Sequence, residues 1–89
     1  MKARLPDVLR VAGDRAASLT PDERACLRKI LILRRYRSLI TPRKFLEHIP
    51  PGLDADRAIA ALKDLESRGI LEFRHQSAYG LSGELLMML

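Results

Sequence analysis

Gly69 constrains the fold of this chain more than any other residue. Ahead of it, Ala58, Ala61, Leu62 and Leu65 fall at the three-and-four spacing that lines one face of a helix, and Asp54 offers a side-chain oxygen to the first free amides. Behind it the period changes to two: Leu71 and Phe73 alternate with Glu72 and Arg74, and Tyr79 and Leu81 answer them across Gln76 and Ser77. A glycine at such a junction adopts the left-handed turn that ends a helix, with Ile70 or Leu71 folding back on the last turn. The stretch predicts a helix from Ala55 to Arg68, a firm stop and a short β-hairpin.

The same punctuation recurs upstream. Thr20-Pro21-Asp22-Glu23 is a capping box, in which the Thr20 hydroxyl accepts from the Glu23 amide while the Glu23 carboxylate reaches back. It opens a helix running from Pro21 to about Arg37, whose apolar residues cover more than one narrow stripe and suit a central position. Thr41-Pro42 repeats the signal and starts a short helix to about His48, and Pro50-Pro51-Gly52 ends it. Before all of these, Leu5, Val8, Leu9, Ala12, Ala16 and Leu19 predict an amphipathic helix over Pro6 to Ser18, weakened at Gly13. Ser82 is placed to cap a last helix reaching Leu89.

The order is helix, helix, short helix, helix, strand, strand, helix. On Leu62, Leu65, Gly69, Ile70 and Leu71, and on the Tyr79-Gly80-Leu81-Ser82 ending, the chain resembles the winged-helix (winged helix-turn-helix) DNA-binding superfamily over roughly residues 20 to 82. A first strand at Ser38 to Ile40, with little pattern of its own, would complete the likeness. The resemblance implies one domain, mainly α with a small β-hairpin. An extra N-terminal helix (6–18) and a short C-terminal helix (83–89) would flank its core.

With 89 residues, 47 % of them hydrophobic, the chain has material for one modest core. No apolar stretch, Ile30 to Leu33 included, approaches the roughly 20 residues a membrane span needs. No signal-like segment precedes Pro6. A cytosolic protein is expected, nucleoid-associated if it binds DNA. Cys26 is the sole cysteine, so an internal disulfide is impossible, and its apolar neighbours suggest a buried thiol. The serines lack the elbow or glycine-rich context of a nucleophile, and His48 and His75 lack zinc-like partners, so neither an enzyme nor a metal site, cofactor or small-molecule substrate is expected.

The net charge of +5 favours an anionic partner, because cations that neutralise phosphates release condensed counterions. Arg28, Lys29, Arg34, Arg35, Arg37, Arg43 and Lys44 form an acid-free basic run. The winged-helix resemblance implies that double-stranded DNA would be met by Arg57 and Lys63 at the groove, Arg74 and His75 on the wing, and Arg34, Arg35, Arg37, Arg43 and Lys44 along the phosphates. Yet the segment from Asp54 to Arg68 has a net charge of −1 and lacks Asn and Gln, so base readout would be sparse. The alternative is a winged-helix interaction module, an accessory subunit of a transcription or replication complex, docking through Ile59 and Ala60 and through Leu86 and Leu89 of the tail. That apolar tail would either form a homodimer or pack beside Leu5 and Leu9 of its own chain.

Overall fold

A computed structural model describes residues 4–33, 40–74 and 78–88. The chain is mainly helical with a small antiparallel sheet, in the order α1 (Leu5–Ala12), a 3₁₀ turn (Gly13–Ala16), α2 (Pro21–Leu33), α3 (Pro42–Leu46), α4 (Ala55–Ser67), β1 (Leu71–Arg74), β2 (Ala78–Leu81) and α5 (Gly83–Met88). The first helix is shorter than the expected span from Pro6 to Ser18. Gly13 adopts φ +57°, outside helical geometry, and the chain tightens into the 3₁₀ turn there.

The helix starts and stops are held by local hydrogen bonds. At α2 the box closes in both directions, with the Thr20 amide donating to Glu23 Oε1 at 3.0 Å and the Glu23 amide to Thr20 Oγ1 at 3.2 Å. Thr41 Oγ1 accepts from the Lys44 amide at 3.1 Å, and Asp54 Oδ1 from the Arg57 amide at 2.8 Å. Gly69, at φ +76°, closes α4: its own amide reaches Glu66 O at 2.9 Å and that of Ile70 reaches Leu65 O at 3.0 Å. Both bonds of a Schellman stop are therefore present.

The hairpin pairs Leu71 with Leu81, Glu72 with Gly80, Phe73 with Tyr79 and Arg74 with Ala78. Leu71 and Leu81 face the core, and the rings of Phe73 and Tyr79 meet with centroids 4.6 Å apart. The free edge of β2 is occupied too. Ile40 exchanges two backbone hydrogen bonds with Tyr79, at 2.8 and 2.7 Å, so among the described residues Ile40 of the segment before α3 stands where a third strand would.

One core gathers Val8, Cys26, Leu27, Ile30, Ile40, Phe45, Leu62, Leu65, Ile70, Leu81 and Leu85. Every described element except the 3₁₀ turn contributes to it. α2 and α4 form the main helix pair, α3 packs on α4 through buried Phe45, and α5 lies against α1. Among the described residues no helix is long and apolar enough to cross a membrane.

Candidate nucleic-acid interface

α3, the turn through Gly52 and α4 carry the expected contact residues, and their electrostatics differ from one to the next. Arg43, in the first turn of α3, is exposed and makes no side-chain hydrogen bond or salt bridge among the described residues, although its charge also acts on Glu47. Lys44, next to it, binds Glu47 one turn on, with Nζ to Oε2 at 3.1 Å. That hydrogen bond, and then the charge of Lys44, holds the Glu47 carboxyl below its ordinary value. Lys44 is thus paired with the residue that caps the end of α3.

On α4, Arg57 is engaged inside the molecule. Its Nη2 lies 2.8 Å from both oxygens of Asp22, its Nε donates to Asp22 Oδ2 at 3.0 Å, and its Nη1 donates to Gly52 O at 3.2 Å. This bidentate fork joins the start of α2 to the start of α4. A guanine would have to compete with it. Lys63, two turns along, is exposed and unpaired among the described residues. Around it the outward side of α4 shows Asp56, Ile59, Ala60 and Glu66, with Ile59 half-buried and the others exposed.

The far end of α4 is tied down by Arg68. Its Nε binds Asp64 Oδ2 at 2.7 Å, and its Nη1 donates to the carbonyls of Arg15 and Ala17, which fixes the turn between α1 and α2. Buried Glu23 lends charge to the same cluster. Its Oε2 lies 3.5 Å from Arg68 Nε, near enough for ion pairing but not aligned as a hydrogen bond.

Arg34, Arg35, Arg37 and His75 of the basic run and the hairpin tip, and Leu89 of the tail, lie outside the described residues, and Arg74 is placed by its backbone pairing with Ala78. The tail folds onto its own chain: Leu85 is fully buried, Leu86 is partly buried against the core, and Met87 and Met88 are the exposed ones, at 90 % and 61 %. Sequence periodicity did not single out Met87, although its place two residues after a buried leucine puts it on the outer side of a helix. Among the described residues no cluster of histidine, cysteine and carboxylates could hold a metal.

Cys26 is buried in the core, which pushes its thiol up to about 11 from 9.0, with the charge of Asp22 adding to the effect of burial. A thiol in that state is a poor nucleophile at neutral pH. In comparison with known proteins, the chain matches no family model, no curated protein and no solved structure.

Proposed function

We propose that this chain is a winged helix-turn-helix protein that binds double-stranded DNA chiefly through the phosphate backbone. The observation that carries this reading is the α3–turn–α4–hairpin succession, on which exposed Arg43 makes no salt bridge and shares the field of Glu47 with Lys44, while exposed Lys63 has no acid of its own among the described residues. In such an arrangement the first motif helix crosses the backbone and the second enters the groove. Arg43, Lys44 and Lys63 then bind phosphates, flanked by Arg34, Arg35 and Arg37 and by Arg74 and His75 of the wing. Base readout is weak, because Arg57 is held by Asp22 and the outward side of α4 presents more acid than base.

A random duplex titrated at increasing salt tests the proposal. Non-specific binding with Kd of about 10⁻⁴–10⁻⁶ M near physiological salt is expected, weakening steeply as salt rises. Arg43→Glu with Lys44→Glu should lower both affinity and salt slope. No association at about 50 mM salt refutes it.

A second reading is favoured by the outward face of α4 itself, where Asp56 and Glu66 flank Ile59 and Ala60. An apolar anchor rimmed by acids suits a protein partner better than a phosphate-lined groove. Under that reading Ile59→Asp removes a protein contact and leaves DNA association intact.

A further inference from the structure

Where α1 and α2 meet at the margin of the core, the surface has a second pattern of charge and apolar side chains. Val8 and Ala12 of α1 point inward, which leaves Leu5 and Leu9, one turn apart, only half-buried. Across from them Ile32 of α2 is 39 % exposed. These three side chains floor an open groove of about 680 Å³. Its rim carries Arg4, Arg24 and Arg28, all exposed.

No acid answers those arginines among the described residues. α1 and α2 contain three carboxylates, and each faces elsewhere: Asp7 lies 3.8 Å from Arg10, Asp22 is bound by Arg57, and Glu23 is buried beside Arg68. Three like charges around an exposed apolar floor repel one another and leave hydrocarbon in water, so the arrangement weakens the isolated domain on both counts. Both terms reverse sign when one ligand brings carboxylates to the rim and apolar side chains to the floor.

We propose that this groove docks an acidic amphipathic helix of a partner protein. From Arg24 to Ile32 the axis of α2 rises about 12 Å, the length of about eight residues of helix. The occupant is thus a two-turn segment with apolar anchors at i, i+3 or i+4, and i+7, flanked by Asp and Glu. Nucleic acid fits less well, since among the described residues the groove has no aromatic side chain to stack a base, and a phosphate backbone has nothing apolar to lay on Leu5, Leu9 and Ile32. A second copy of this chain is disfavoured by its own charge of +5.

The test is fluorescence anisotropy of the whole chain with a labelled helical peptide, leucine at the anchor positions and glutamate between them. Companion peptides carry lysine for glutamate, or serine for leucine. The glutamate–leucine peptide should bind and both companions should not. Arg24→Glu with Arg28→Glu, solvent-exposed changes whose folding circular dichroism checks, should weaken it at least about tenfold at low salt. The same variant should gain affinity for the lysine peptide, a reciprocal rescue that a fold defect cannot produce. Ile32→Ser should lower affinity for the glutamate–leucine peptide without altering its salt dependence. Peptide binding indifferent to these changes, or no binding at about 100 μM peptide, overturns the proposal. So does displacement of the peptide by duplex DNA together with loss of duplex binding in the Arg24→Glu, Arg28→Glu variant, since the groove would then belong to the nucleic-acid surface.

Discussion

Asp22→Asn separates the structural from the functional role of Arg57. In the folded chain Asp22 holds the Arg57 guanidinium in a bidentate fork, with the arginine side chain 55 % and the aspartate 33 % exposed. Solvent screens a pair that open, so its coupling in a double-mutant cycle with Arg57→Ala should be about 0.5–1 kcal/mol of stability. The larger effect is expected on DNA. An arginine released to one phosphate steepens the salt dependence by about 0.9 and, at about 0.1 M salt, raises affinity about eightfold. Removing the carboxylate's own repulsion of a phosphate about 8 Å away contributes about 0.5 kcal/mol before screening, roughly twofold. Only the first effect needs Arg57. Anisotropy titrations should therefore show about an eightfold or greater gain for Asp22→Asn in the wild-type background and about twofold in the Arg57→Ala background. Equal gains in the two backgrounds, or an unchanged salt slope, refute the idea that Asp22 withholds Arg57 from the duplex.

Two further predictions concern stability. The Cys26 thiol, raised from 9.0 to about 11, favours the neutral form in the folded state, so its contribution is complete below pH 9.0 and is lost as pH rises toward 11. Urea melts at pH 8 and 10.5 should show the wild type losing on the order of 2 kcal/mol more than Cys26→Ala over that interval, and parallel pH profiles would contradict it. Asp54→Ala removes the 2.8 Å cap on the Arg57 amide and should cost about 1 kcal/mol, a fall in Tm of about 4–8 °C by calorimetry.

Where local chemistry decides a boundary, the sequence is a sufficient guide. Thr20 with Glu23, Thr41, Asp54 and Gly69 each act on amides or carbonyls within five residues, and each does so in the fold. The pairing of Leu71 with Leu81 and Phe73 with Tyr79 follows for the same reason, since period two leaves one register that buries both leucines. Contacts made by tertiary approach have no such local mark. Arg57 and Asp22 lie 35 residues apart and Arg68 reaches Ala17 across 51, so nothing in the neighbouring sequence marks either contact. Ile40 shows the limit in another way. The bridge to Tyr79 is described for Ile40 alone, and the suggested strand from Ser38 overlaps residues the structure does not describe.

Placement makes the charge of this chain more informative than its total. The acids are used as fasteners: Asp22 joins α2 to α4 through Arg57, Glu23 and Asp64 anchor Arg68 over the α1–α2 turn, and Glu84 pairs with Arg15 to fix α5 beside the 3₁₀ turn. Asp22, Glu23 and Glu84 each join two elements, while Asp64 holds Arg68 from within α4. Among the described residues, this leaves Arg43 and Lys63 without a salt bridge on α3 and α4, and Arg4, Arg24 and Arg28 around the α1–α2 groove. On an ideal helix Arg24 and Arg28 sit about 200° and 240° round α2 from Asp22, well away from the side that grips α4. The two groups of open cations thus occupy different faces. Contacts that depend on one should be insensitive to charge reversal at the other beyond the shared change in net charge, which a rise in salt removes for exposed sites farther apart than a Debye length but not for the direct contacts.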